Sequence, residues 1–325
     1  MSTLTAYTRL TLTEANKRAG FTDMAAILGE RKQMNDFLDE VPWLPATHGN
    51  FNKAFQASRL GKGGFSYVNG PVPIISSTGQ IVTEPVKMYE GDSPIDDRIL
   101  DSAIDPYAAR DAEDAMNMEG LLQDWTSQLV YANQGTTGAD AFQGLWARRA
   151  SSGTRTCISA GGSGGNYSSI LVCEFGPAAF YLAYPENTGA PPGISNMDRG
   201  LVNIAAPTGS GNYWAWIRHY EIWAAIILRD NRAMIRIANI NNTFGGTGAF
   251  ATPVISKAKN YLPRMGRNAV AFCGRTIHAQ MDDLAVNKAN NFMSVQEFEG
   301  FGPITCMSGI PVRIMEVLIE TESNV

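Results

Sequence analysis

The chain has little of what most protein chemistry needs. Its 325 residues include three histidines and four cysteines. His48, His219 and His278 stand far apart, and none lies in H-x-x-x-H or beside a C-x-x-C, so no zinc-type ligand set can be read. Cys157, Cys173, Cys273 and Cys306 form no C-x-x-C either. They read as reduced, buried thiols, not as a redox pair or a disulfide framework. No run of about twenty apolar residues occurs, which excludes an ordinary membrane-spanning helix. The longest candidate, Trp214 to Ile227, is interrupted by Arg218, His219 and Glu221. The opening MSTLTAYTRLTLTEANKRAG lacks the apolar core of a secretory signal. Charged residues are scarce at 18%, and the formal net charge is −5. That argues against a surface given over wholly to nucleic acid, though a local basic patch stays open. No repeat of fixed period is present. The expectation is a soluble protein with no cofactor, no metal and no membrane partner.

What is present is enough apolar sequence, 44%, to bury a substantial core in one large domain or two. Thr13 suits the N-cap of a short helix through Arg18, and a second helix is expected from Asp23 to about Asp36. The stretch up to Leu60, including THGNFNKAFQAS, is polar and aperiodic and reads as an arm ordered from outside itself. Two extended runs follow, Phe65 to Gly70 and Gln80 to Tyr89, with turn formers between them. The second run has no clean apolar face, and Pro85 suits an edge. A lone two-stranded hairpin is marginal in water, so this one is expected to lie on something else, another subunit included.

From Tyr107 to Asn133 the spacing predicts one long helix, with Asp105 as N-cap and Pro106 at its first position. Further on, SSILVCEF and AAFYLAY read as strands. Tyr213 to Asp230 reads as two strands around a turn near His219, and RAMIRIANI as a helix. Phe250 to Tyr261 is expected to be helical, Asn268 to Gly274 a buried strand, and Thr276 to Lys288 a helix capped by Thr276. GIPVRIMEVLIETE closes the chain as a strand run. The class is α+β.

Several strings could carry chemistry. Gly161-Gly162-Ser163-Gly164-Gly165 matches the G-x-S-x-G of a nucleophile elbow, which would make Ser163 the nucleophile of a serine hydrolase. An elbow needs a helix directly after the serine, but GNYSSILVCEF reads as a strand. A glycine corner is the simpler account. Asp198 or Asp230 with His219 or His278 would complete a triad only loosely. Gly61-Lys62-Gly63-Gly64 lacks phosphate-loop spacing and opens a hairpin, so it reads as a hinge. Trp214 and Trp216 could stack on a sugar, as in a carbohydrate-binding module, or simply belong to a strand. The acidic residues early in the long helix complement its dipole, and Asp282-Asp283 suggests at most weak cation binding.

With no enzymatic constellation left, the order of segments along the chain becomes informative. LTEANKRAG, FLDEVPWLPA, YAN followed by FQGLWAR, SAGGSGGNYSSI, WAAIILRDNRAMIRIANI and GIPVRIMEVLIETE together resemble the major capsid proteins of tailed, short-tailed bacteriophages with the Hong Kong 97-type fold. The resemblance implies an N-terminal arm (1–60) and an extended β-hairpin, or E-loop (61–92), that reaches over a neighbour. It implies a peripheral domain (93–150) with a spine helix (about 106–133), joined by later strands (about 212–240), and a mainly axial domain (151–325). It implies self-assembly into pentamers and hexamers of an icosahedral shell around phage double-stranded DNA, touched only nonspecifically. A separate scaffolding protein, a portal protein and cement proteins are implied partners. The location implied is the virion capsid, after synthesis in the host bacterial cytoplasm. Glu84, Lys87 and Glu90, in or beside the hairpin, are the candidate intersubunit contacts.

Overall fold

The computed structural model describes residues 35–162, 165–186, 193–207, 211–286, 293–298 and 302–325. In chain order the elements are α1 (Phe37–Glu40), β1 (Trp43–Pro45), β2 (Phe51–Arg59), β3 (Thr78–Pro85), β4 (Lys87–Asp96), α2 (Asp97–Asp101) and α3 (Pro106–Tyr131). There follow β5 (Cys157–Ser159), β6 (Tyr167–Glu174), β7 (Phe180–Tyr184), β8 (Ile194–Ala205), β9 (Asn212–Leu228) and β10 (Met234–Asn241). The last are α4 (Thr252–Tyr261), β11 (Ala269–Cys273), α5 (Arg275–Val286), β12 (Met293–Phe298), β13 (Gly302–Met307) and β14 (Ile310–Ile314). Of the helices expected near the amino terminus, Thr13 to Arg18 and nearly all of Asp23 to Asp36 lie outside the described residues. The mixture of helix and largely antiparallel sheet, with three parallel strand pairs, is the α+β class. The chain divides into two compact units, and each is taken by itself.

In its described part the first unit comprises Met88–Ser127 and Gly193–Trp223. Most of α3 belongs to it, and at about 1.5 Å per residue the 26-residue helix is about 39 Å long. Asp105 caps it as expected: its Oδ1 accepts from the backbone N–H groups of Tyr107 and Ala108, each at 3.1 Å. β8 runs antiparallel to β9 from Ile194 opposite Ile222 to Ala205 opposite Asn212, and β4 also joins β9.

β9 is a single 17-residue strand, which corrects the expectation of a turn near His219. Its polar residues have partners that let the strand continue. Arg218 Nε lies 3.1 Å from Asp114 Oδ2, and His219 Nδ1 lies 2.7 Å from Asp92 Oδ1. Asp114 is buried on α3 and accepts from Ser93 Oγ at 2.9 Å. Burial raises its carboxyl pKa, opposed by the Ser93 hydrogen bond and by Arg218 and Arg110.

The second unit comprises Met34–Lys87, Gln128–Pro192 and Ala224–Val325. Its centre is a seven-stranded sheet in the order β12-β13-β14-β11-β6-β10-β5. Strand periodicity sorts the side chains between two faces. Ile170 and Val172 of β6, Ile235 and Ile237 of β10, and Ala271 of β11 share one core with Ile255 of α4 and Ile277 of α5. Phe272, one residue out of step, points the other way. There it meets Phe37, whose ring centroid is 5.1 Å away, and Phe175 at 6.0 Å. Because both faces are covered, all eight residues of β6 are buried, and the strand reads as a continuous apolar run.

β10 is a strand where a helix was expected. The isoleucines flanking Arg236 share a face at a spacing of two, and Arg236 on the other face is fully engaged. Its Nη2 donates to Glu322 at 2.9 Å and its Nε to Ser169 Oγ at 3.1 Å. Glu322 also accepts from Trp146 Nε1 at 2.6 Å and from Tyr131 OH at 3.1 Å. The closing run is likewise shorter as a strand than expected, ending at Ile314. Beyond it Glu322 N–H donates to Tyr167 O at 2.9 Å, and the Asn239 amide exchanges two hydrogen bonds of 3.0 Å with the backbone of Val325. α5 starts at Arg275, so Thr276 lies inside its first turn and is not the cap; its hydroxyl bonds Glu320 instead. All four cysteines are free and buried. Burial pushes the Cys173 and Cys273 thiols well above their ordinary pKa.

Candidate assembly surface

The hairpin of the second unit pairs β2 with β3, from Phe51 opposite Pro85 to Arg59 opposite Thr78. Its first strand therefore precedes the expected one. Residues 65–70 instead lie in the connecting loop, where Gly70 N–H donates to Tyr67 O at 2.9 Å and Asn69 takes a positive φ of 66°. FNKAFQASR gave no apolar alternation because its buried positions, among the described side chains, are Asn52 and Ala54. The two limbs of the loop run close together. A Cβ at Gly61 would stand 2.2 Å from Ile75 Cγ2, so glycine is required there for contact. Within Gly61-Lys62-Gly63-Gly64 this applies to Gly61; a Cβ at Gly63 or Gly64 would meet its nearest atom at 3.8 Å or 3.3 Å.

The base of the hairpin is fastened to its own unit. Arg148 forks onto Glu84, with Nη1–Oε1 at 2.8 Å and Nη2–Oε2 at 3.0 Å. Lys87 Nζ donates to Ala139 O at 2.8 Å, and Gln56 Nε2 to Leu228 O at 3.0 Å. Asn52 Nδ2 donates to Tyr181 OH at 3.2 Å. Glu84 and Lys87 are thus brought together at one end of the hairpin. Glu90 lies on β4 in the first unit, 3.7 Å from His219 Nε2.

The far end has nothing comparable. Phe65, Val68 and Ile74 are 109%, 89% and 97% exposed, and Leu60, Tyr67, Val72 and Ile75 are also exposed. Seven large apolar side chains within 16 residues, all facing solvent, exceed what a monomer ordinarily tolerates in one patch. The sequence pattern read Phe65 to Gly70 as extended and the residues after it as turn formers, and did not show this patch. The usable signal was an apolar run too broken by Gly64, Gly70, Pro71 and Pro73 to form a core strand.

The strings with catalytic or sugar-binding potential fall elsewhere. Ser163 lies outside the described residues. The segment after it is β6, a strand, where an elbow requires a helix. Just before it, Gly162 sits where a Cβ would come within 2.6 Å of Asn239 O, which fits a glycine corner. Asp198 is held by Arg110 at 2.7 Å and Asp230 by Arg232 at 2.8 Å. Trp216 donates to Asp97 at 2.7 Å, and the Arg110 guanidinium lies 5.1 Å from its ring centroid. Arg110 thus occupies one face of the Trp216 ring, while Trp214 is exposed. Among the described residues no group of three or more His, Cys, Asp or Glu could hold a metal ion, and no helix is long and apolar enough to cross a membrane.

Comparison with solved structures gives this arrangement a class. The structure of bacteriophage Epsilon15 superposes with a TM-score of 0.73 at 21% identity, covering 99% of both chains. Weaker likenesses include the bacteriophage JBD30 capsid, with a TM-score of 0.47 and 10% identity over 88% of this chain and 91% of that one. An encapsulin complex of Synechococcus elongatus PCC 7942 gives 0.43 and 8% identity over 63% and 87%. The fold is that of the Hong Kong 97-type phage capsid proteins. The family profile described as Major capsid protein GP7 matches residues 21–325, and the chain belongs to that family. It is a structural protein of the icosahedral capsid shell and not an enzyme. Among curated proteins no match is found.

Proposed function

We propose that the hairpin Phe51–Pro85 is the clamp by which each subunit holds its neighbour in the pentamers and hexamers of the shell, the part played by the E-loop in the resemblance. One observation carries the reading. The hairpin is fastened at its base by Arg148, Lys87 and Gln56 and presents Phe65, Val68 and Ile74 to solvent at its tip. A second protein surface that covers these side chains removes a cost of about 1.5–3 kcal/mol for each one buried. In this reading Glu84, Lys87 and Glu90 lie at the rim of the intersubunit contact. Glu84 and Lys87 are half-buried and already bonded to Arg148 and Ala139 of their own chain, so each ionic contact added across the seam contributes at most about 1 kcal/mol.

The long helix α3 and its neighbouring strands then serve as the peripheral domain, and the glycine-rich centre as part of the axial domain. The shell encloses double-stranded DNA, which a chain of net charge −5 contacts only nonspecifically. A separate scaffolding protein, a portal protein and cement proteins complete the assembly, and the subunit is made in the host cytoplasm. The test excises residues 60–77, bridges Arg59 to Thr78 with a short glycine turn, and compares circular dichroism and particle size with the intact chain. The body is expected to fold and shells to be lost. Shells of normal size from the excised chain would remove the clamp.

A further inference from the structure

One end of the central sheet collects arginines. Where β10 begins, Met234 pairs with Cys173 of β6, and where β11 begins, Ala269 pairs with Glu174 of β6. β5 begins at the same level, since Cys157 pairs with Arg236. The segments leading into these three strands carry Arg232, Arg264, Arg267 and Arg155. Arg229 joins them at the turn after β6, where its Nη1 donates to Pro177 O at 3.4 Å. All five arginines are exposed. With neighbouring strands about 4.8 Å apart, β11 to β5 spans about 14 Å. Two carboxylates answer this charge: Glu174, which is buried, lies 3.6 Å from Arg264 Nε, and Asp230 binds Arg232 at 2.8 Å. Among the described residues no carboxylate pairs with Arg155, Arg229 or Arg267. Arg149, buried beneath the turn that leads into β10, is also unmatched: its guanidinium donates to the carbonyl oxygens of Met234, Arg148 and Asn231. Six cations against two carboxylates make this end of the sheet strongly positive on a chain whose net charge is −5.

We infer that this end of the sheet is where the subunit holds the phosphate backbone of duplex DNA. The inference rests on the reading that the shell encloses such DNA, and it names the face that meets it. An acidic chain repels a polyanion unless its cations are gathered in one place, and here they are gathered on the ends of four adjacent strands. Every one of them is arginine, whose planar fork fits phosphate oxygens two at a time and cannot lose its charge. Contacts to phosphate carry no base sequence, so the binding is nonspecific, as a container for a whole genome requires. A protein partner fits less well. Protein contacts are built around an apolar centre, whereas the exposed large apolar side chain among these arginines is Met265. Surfaces that bind DNA are polar and positively charged, as this one is.

The test titrates a short fluorescent DNA duplex with unassembled full-length subunits at several salt concentrations and reads anisotropy. Arg155→Gln, Arg229→Gln and Arg267→Gln, the arginines without carboxylate partners, are combined in one variant, with circular dichroism as the check on its fold; the three single variants carry the same comparison if the combination does not fold. Lys53→Gln, Arg59→Gln and Lys62→Gln, which remove three exposed cations of the hairpin, make the control. The expected result is a loss of affinity in the patch variant of about tenfold or more at low salt, with the slope of log affinity against log salt reduced by about 2–3, and native binding by the control. A native chain that does not bind the duplex, a patch variant that binds as the native chain does, or an equal loss in the control overturns the assignment. A patch variant that binds normally but no longer forms shells would mark the arginines as a contact with a second protein surface, and overturns it as well. Particles from infected cells that hold no nuclease-resistant duplex DNA would overturn the enclosing reading itself, a failure distinct from any in the binding comparison.

Discussion

The hairpin and the seven-stranded sheet are built from the same kind of residue put to opposite use. In the sheet, Ile170, Ile235 and Ile237 are fully buried under α4 and α5, and Phe272 is fully buried against the rings of Phe37 and Phe175 on the opposite side. In the hairpin, Phe65, Val68 and Ile74 stand in solvent. The difference lies in polar bookkeeping at each end. The sheet can bury both faces because its intruding charge, Arg236, is matched by Glu322, itself ringed by Trp146, Tyr131 and Ser169. The hairpin keeps its charges outward, so its apolar groups remain available to another copy. On the proposed clamp, stability of the subunit and cohesion of the shell rest on different residues.

Mutations can break that separation. Glu322→Ala leaves the Arg236 guanidinium buried without its counter-ion and should destabilise the unassembled subunit by about 3–5 kcal/mol, read as a lower denaturant midpoint; an unchanged midpoint would mean the pair is not buried in solution. Arg148→Ala removes the fork on Glu84, a partly exposed pair, and should cost at most about 1 kcal/mol. Its larger signature should be faster tryptic cleavage at Arg59 and Lys62, since the base of the hairpin is loosened. Phe65→Ser should change subunit stability by less than about 0.5 kcal/mol while lowering the yield of shells seen by electron microscopy. A midpoint shift as large as that of Glu322→Ala would show that Phe65 is packed within its own chain, and the contrast between the two regions would fail.

How much was legible in the sequence follows from where each residue finds its partners. The long helix was read to within two residues at either end, because its cap and its apolar spacing are local. β6, β7, β11 and α4 were also readable, as continuous apolar runs or periodic segments. β9 and β10 were misread for one shared reason: their polar residues are satisfied by partners distant in sequence. Arg218 meets Asp114 of α3, and Arg236 meets Glu322, 86 residues further on. No local pattern announces such pairs, so Arg218-His219 looked like a turn and Arg236 like the polar side of a helix. The family resemblance came from the order of segments and stood independently of those errors. The assembly surface was harder to see, since a loop that waits for another molecule follows neither a strand's periodicity nor a loop's polarity.

The proposed clamp also predicts how cohesion responds to temperature. With Phe65, Val68 and Ile74 as the seam, each subunit added to the shell removes apolar surface from water, and its association carries a negative heat-capacity change. Near room temperature such a contact is driven mainly by entropy and weakens on cooling. An association calorimetry trace would grow more exothermic as the temperature rises, and the shell would be held least tightly in the cold.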